Sequence, residues 1–222
     1  KAVSSELSGN GIDLCPVGAL TSKPYSFVAR PWELKKVETI DVLDAVGSNI
    51  RIDVRGNEVM RVLPRLNEDV NEEWISDKSR FSCDGLRRQR LDKPYVRNAA
   101  GKLEPASWDE AFAAISAKIT GVSGDRIAAI AGDQCDAESM FALKGLMDAL
   151  GSPHLDCRQD GAALDSSVRA GYLFNTGIAQ AEDADVCLII GSNPRWEAPL
   201  VNTRLRKGWL AGRMKIGVVG PQ

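Results

Sequence analysis

The chain has 222 residues, 44% of them hydrophobic and 26% charged, with a formal net charge of -2. That is an ordinary globular composition, sufficient for one sizeable core or two modest ones. The charge excludes the basic footprint of a nucleic-acid-binding domain, and apolar runs such as Val186–Ile190 are far too short to cross a bilayer. Any membrane link is therefore expected to run through partner proteins, with no direct insertion. The five cysteines (Cys15, Cys83, Cys135, Cys157 and Cys187) are odd in number and form no CxxC pair. This argues against a secreted disulfide framework and a self-contained zinc site, and for a reducing compartment. Because the chain opens on Lys1 and stops at Gly220-Pro221-Gln222, just after a strand-like run, it is expected to be truncated or processed.

The first thirty residues are turn-rich, punctuated by Gly9-Asn10-Gly11, Cys15-Pro16 and Lys23-Pro24. Ile50, Ile52 and Val54 then alternate with polar residues, Arg55-Gly56-Asn57 supplies a turn, and Val59 to Leu63 returns, which predicts a β-hairpin. After Leu91-Asp92-Lys93-Pro94 the period changes. Ser107 and Glu110 form a capping box that predicts a helix from Trp108 to about Ile119. A buried strand is expected over Ile127–Ala131, then a helix over Ala137–Leu150 stopped by Gly151. Further helices are expected over 163–171 and Leu200–Lys207, with strands over Val186–Ile190 and Lys215–Val219. Short apolar strands alternating with helices predict an α/β fold with a parallel sheet covered by helices on both faces.

Cys15 is followed directly by proline, as the last ligand of a ferredoxin-type [4Fe–4S] run is written. The dipeptide alone is a weak signal, and a half-buried structural cysteine is the bland reading. The surrounding segment, Asn10 through Tyr25, closely resembles the end of the ferredoxin-like region in the family of complex I large iron–sulfur subunits. The resemblance continues through Ala29–Glu33, Asp44–Ile50, Asn71–Lys78 and Asp84–Leu91, and returns at Ala128–Gly132 and Gly191–Pro199. It covers nearly the whole chain and has an alphaproteobacterial or mitochondrial flavour. It implies that Cys15 is the fourth ligand of a [4Fe–4S] cluster whose other three thiolates come from an upstream CxxCxxC. It also implies three regions: residues 1–33 as the end of the ferredoxin-like region, 34–95 as a small β-rich domain, and 96–222 as part of an α/β domain, a truncated Rossmann-like sheet.

That family resembles the molybdopterin oxidoreductases, whose first domain carries a CxxCxxxC and a later cysteine. Laid on that pattern, the four positions here are Asp41, Asp44, Ser48 and Ser76. Hard carboxylates and hydroxyls do not replace thiolates on soft iron; the two aspartates suit magnesium or calcium instead, although solvated turn residues are the expected reading. The position aligned with the molybdenum ligand falls at about Ala162, which has no donor atom. Cys157 nearby is expected to be buried and inert, and with His154 it offers the chain's one His–Cys neighbourhood for nucleophilic catalysis. There is no G-x-G-x-x-G after a strand and no Walker-type loop, so nicotinamide and ATP binding are not expected here. The basic cluster Arg87, Arg88, Arg90, Lys93 and Arg97 is expected to pair with the acidic stretch Glu68–Asp77 or to face water.

The resemblance thus implies an electron relay inside NADH:quinone oxidoreductase, with no catalytic residue and no molybdopterin in this chain. NAD, FMN and quinone would sit on partner subunits. The implied partners are the flavin-bearing NADH-binding subunit and the quinone-side iron–sulfur subunits. The implied place is the peripheral arm, on the matrix side of the mitochondrial inner membrane or the cytoplasmic side of the bacterial plasma membrane. Two rivals remain: an active molybdopterin enzyme of the formate dehydrogenase kind, and a purely structural interaction domain.

Overall fold

The computed structural model describes residues 3–157, 163–165 and 167–220. It divides into two compact units, residues 1–88 with 173–222, and residues 89–172.

The first unit opens with a short helix, α1 (Asn10–Leu14), and a strand, β1 (Lys35–Ile40), that the sequence pattern did not announce. The expected hairpin follows as β2 (Asn49–Arg55) and β3 (Glu58–Pro64), closed by Gly56 at φ 60°. All three strands form one antiparallel sheet in the order β1-β2-β3. Ile50 and Val62 pack with Ile75, which is fully buried, into its apolar core. Asp53 is also fully buried on β2, held by the guanidinium Nε atoms of Arg51 at 2.9 Å and Arg61 at 2.8 Å. A short helix, α2 (Asp77–Phe81), then begins at Ser76, whose hydroxyl caps it by accepting from the Ser79 N–H.

The second unit contains a small antiparallel pair, β4 (Tyr95–Arg97) with β5 (Leu103–Pro105). Next comes α3 (Trp108–Ile119), which starts at the expected capping box: Ser107 accepts from Glu110 N–H while the Glu110 carboxylate accepts from Ser107 N–H. Strand β6 (Ala128–Ile130), helix α4 (Ala137–Ala149) and strand β7 (His154–Asp156) form a βαβ turn with β6 and β7 parallel. The helix expected over 163–171 is corrected: among the described residues only the single 3-10 turn Arg169–Gly171 is helical there. Leu164 and Val168, the i,i+4 pair that such a helix would bury, are both exposed.

The chain returns to the first unit with β8 (Val186–Ile190), a short helix α5 (Pro194–Glu197), helix α6 (Pro199–Leu210) and β9 (Lys215–Val219). Strands β8 and β9 are parallel neighbours. The parallel pairing expected of an α/β fold is therefore present, as two two-stranded sheets. Val186, Leu188 and Ile190 are all exposed. Hence β8 is not covered on both faces among the described residues.

Helix α6 is fastened to the rest of its unit by charge. Arg204, almost fully buried, donates to the Glu68 carbonyl and lies 3.4 Å from Glu72 Oε1 and 3.6 Å from Glu182 Oε2. Lys207 Nζ reaches the same two carboxylates at 2.6 and 3.1 Å. Within the acidic stretch, Glu72 thus finds its cations on α6, while Arg87, Arg88, Arg90, Lys93 and Arg97 are all exposed, the water-facing branch of the expectation. Arg87 pairs with Glu58, and Arg97 donates to the Gly101 carbonyl. Hydrogen bonding from Lys207 holds the Glu182 carboxyl below its ordinary range, and Glu72 holds the Lys207 ammonium above its own. A depressed carboxyl stabilises the fold above its unfolded value of about 4.3 and loses that contribution as pH falls. The raised lysine contributes below about 10.4 and loses it as pH rises beyond. Glu182→Gln is therefore expected to lower unfolding stability by about 1 kcal/mol near neutrality. In urea titrations the difference from the unaltered chain should shrink as pH falls below the unfolded value of about 4.3 and through the lower folded one.

Candidate functional site: the Cys15 loop and the Asp41–Ser76 cage

The Cys15 sulfur sits in a turn made by Pro16 to Leu20. Proline cannot continue α1, and Gly18 takes the left-handed conformation, φ 66°, so successive N–H groups point inward as an anion-binding nest. The N–H of Leu20 acts most strongly on the sulfur, followed by those of Val17, Ala19 and Gly18, and together they hold the thiol below its ordinary pKa. The side chain is half-buried, while Leu14, Val17 and Leu20 around it are exposed. A half-buried thiolate with backbone donors is the donor chemistry that suits an iron–sulfur cluster.

The loop is anchored from behind. The buried Asn10 side chain donates from Nδ2 to the Ile75 carbonyl at 2.8 Å and accepts at Oδ1 from the Ile75 N–H at 3.1 Å. Arg80, also buried, binds Asn10 Oδ1 at 3.1 Å and Asp13 Oδ2 at 2.5 Å. Asp77 accepts from the Gly9 N–H at 2.7 Å and from Ser8 Oγ at 2.5 Å. Gly9 is required there, because a Cβ would come within 2.7 Å of both Arg80 and Asp77. None of these anchors was singled out from the sequence, since asparagine and arginine carry no periodic signal. The turn motif Gly9-Asn10-Gly11 was the available hint.

Asp41, Asp44, Ser48 and Ser76, separated by up to 35 positions, are brought into one hydrogen-bonded neighbourhood. The Asp41 N–H donates to the Ser48 carbonyl at 2.8 Å, and Ser48 Oγ donates to Asp44 Oδ2 at 3.0 Å. Asp44 Oδ1 accepts from the N–H groups of Val46 and Gly47, both at 3.0 Å. Ser79 Oγ donates to Asp41 Oδ2 and lies 3.0 Å from Ser76 Oγ. Ser48 and Ser76 are fully buried, and Asp41 is only 6% exposed. The expectation of solvated turn residues is corrected for Asp41. The sequence also missed Ser79, three residues after a capping serine, where its backbone and hydroxyl both reach Ser76.

Elsewhere the predicted chemistry does not assemble. His154 opens β7 and Cys157 follows its end, about 10 Å of extended rise apart, so they make no nucleophile–base pair. Cys157, expected to be buried, is exposed, and Ala162 lies outside the described residues. An open cleft of about 510 Å3 lies at the carboxyl end of β8, lined by Asn193, Asn202, Arg206 and Trp209 among others. Its mouth is engaged internally: Ser192 Oγ donates to Glu197, and Asn193 caps α5 through the Arg195 N–H. Among the described residues no group of three or more His, Cys, Asp or Glu side chains is placed to hold a metal, and no helix is long and apolar enough to cross a membrane.

An α/β portion with parallel strands, preceded by a small antiparallel domain with a cage of four aligned positions, defines a class. Residues 90–222 match the family described as molybdopterin oxidoreductase, and the chain belongs to that family. Residues 34–84 match the family described as NADH-ubiquinone oxidoreductase NDSU1/NuoG-like, 4Fe-4S domain. More particularly, the chain is 59% identical to the mitochondrial NADH-ubiquinone oxidoreductase 78 kDa subunit of Candida albicans, over 98% of this chain and 31% of that protein. It is 56% identical to the subunit of the same name from Neurospora crassa, over 99% of this chain and 30% of that one. It is 54% identical to an NADH-quinone oxidoreductase subunit of Rickettsia bellii, over 99% of this chain and 32% of that protein. The chain spans about a third of the length of these relatives. The resemblance read from the sequence is borne out, and the formate dehydrogenase-like rival is not favoured.

The 4Fe-4S description does not fit the residues present at 34–84. The one cysteine in that span is Cys83, which packs against the core of Ile50, Val62 and Ile75; its thiol is pushed up chiefly by burial. Cys15 and Cys83 are therefore opposites, and thiolate, not thiol, is the alkylated form. Iodoacetamide labelling followed across pH by peptide mass spectrometry should reach half-maximal rate at lower pH for Cys15 than for Cys83. The reverse order would contradict the backbone nest.

Proposed function

We propose that this chain is part of a large iron–sulfur subunit of NADH:quinone oxidoreductase. In this reading Cys15 supplies one thiolate to a [4Fe–4S] cluster whose other three ligands lie upstream in the complete subunit. What carries it is the half-buried Cys15 in the Pro16–Leu20 turn, whose thiol is held below its ordinary pKa by the backbone N–H groups of Leu20, Val17, Ala19 and Gly18. The names of the relatives support the complex.

When bound, the cluster supplies one-electron transfer between flavin and quinone. The residues of this chain do the rest. The thiolate ligates, and the N–H donors stabilise negative charge on the sulfur, which raises the reduction potential. The Asn10, Asp77 and Arg80 ties fix the loop, because electron transfer depends on constant position.

The α/β portion, read as a truncated Rossmann-like sheet, serves as scaffold without molybdopterin. Its partners are the flavin-bearing NADH-binding subunit and the quinone-side iron–sulfur subunits, in the peripheral arm of the complex. The division into residues 1–33, 34–95 and 96–222 follows from the same reading. Cys15→Ala in the full-length subunit should abolish or displace one reduced [4Fe–4S] signal in low-temperature electron paramagnetic resonance of the assembled complex. An unchanged set of signals would contradict the ligand role.

A further inference from the structure

The disagreement at residues 34–84 has structure of its own. A four-ligand cluster held at 41, 44, 48 and 76 would cross-link two pieces of backbone, the loop 41–48 and the residue that starts α2. The same two pieces are cross-linked here by hydrogen bonds. Proton inventory fixes the direction of the chain. The Ser79 hydroxyl has one proton, and it goes to Asp41 Oδ2. Ser76 Oγ, 3.0 Å from Ser79 Oγ, must then donate its own proton to Ser79 while accepting the Ser79 N–H at 3.2 Å. The sequence runs Ser79 N–H to Ser76 Oγ–H to Ser79 Oγ–H to the Asp41 carboxylate, each donor polarising the next. The other Asp41 oxygen accepts from the Leu43 N–H at 3.2 Å, and Asp44 closes the loop through Val46, Gly47 and Ser48.

We propose that this serine–aspartate chain is the structural replacement for a cluster: it clamps loop 41–48 to the start of α2 and leaves the 34–84 domain outside the electron path. Three features support it. Ser48 and Ser76 are fully buried and Ser79 and Asp41 nearly so, which leaves little room for a cuboidal cluster. Every oxygen in the chain has a protein partner. Cys83, the one thiol of the domain, belongs to the apolar core instead. The proposal is independent of what Cys15 binds, since no residue is shared.

The test is hydrogen–deuterium exchange on the full chain with Ser79→Ala, a small substitution that keeps helix propensity. If the clamp acts as one unit, amides in residues 41–48 and 76–81 should both exchange at least about fivefold faster, because the Ser79 hydroxyl makes two buried hydrogen bonds and losing one alone is worth about fivefold. The β2–β3 hairpin should not change. Ser82→Ala, which removes the Ser82 hydroxyl donating to Lys78 O at the exposed end of α2, should leave 41–48 unaltered. Acceleration confined to 76–81 in Ser79→Ala would overturn the clamp. As a second measurement, Asp41→Cys, Asp44→Cys, Ser48→Cys and Ser76→Cys combined should take up four irons on anaerobic incubation with ferrous iron and sulfide, beyond what the unaltered chain retains. No added iron would show that the clamp does not stand in a cluster's place.

Discussion

The Asn10 side chain behaves as a short length of strand. Its amide exchanges both hydrogen bonds with the backbone of Ile75, 65 residues away, in a site that excludes water. The Leu7 carbonyl and Arg80 complete the amide's hydrogen bonding, and Ile75 is the most buried member of the local apolar core. The helix carrying Cys15 is therefore fixed to the β-rich domain through polar geometry rather than through a broad apolar contact. Arg80 and Asp77 extend the same tie and explain why Gly9 has no side chain.

This is a general feature of the first unit. Its apolar clusters are small, each built on three buried hydrophobic residues. Its buried polar residues bridge distant segments: Asp53 between two arginines, Asn71 between the Asn49 backbone and the 65–74 loop, Arg204 between α6 and residues 68–72. Apolar packing tolerates sliding; a satisfied buried network admits one arrangement. The cost of an unpaired buried group also makes each bridge sensitive to single substitutions.

Local signals were legible in the sequence and distant polar pairings were not. The capping box at Ser107 and Glu110 located α3 to the residue, and period-2 alternation located the β2–β3 hairpin. The apolar run Val186–Ile190 forms the expected strand beside Lys215–Val219. By contrast β1 has the exposed, mixed sequence KKVETI, with no alternation to read, and it is a strand because β2 supplies its partner. The helix expected over 163–171 had Leu164 and Val168 at helical spacing, but both are exposed, so no packing supports it. The exposure of the basic cluster was legible, but the partner of Glu72 was not, because it meets Arg204 across 132 positions and no periodicity reports such a pair. At the site, the resemblance to molybdopterin oxidoreductases, laid on the sequence, identified Asp41, Asp44, Ser48 and Ser76 as a set. That Ser79 joins them, and that they bond to one another instead of to water, required the fold.

The electron-relay role rests on what the Cys15 sulfur touches. In crystals of the complete complex, an anomalous difference map collected at the iron absorption edge locates iron atoms without assuming ligands. The expected result is an iron peak within bonding distance of Cys15 Sγ and none in the Asp41–Ser76 cage. A Cys15 sulfur with no iron beside it would contradict the central claim.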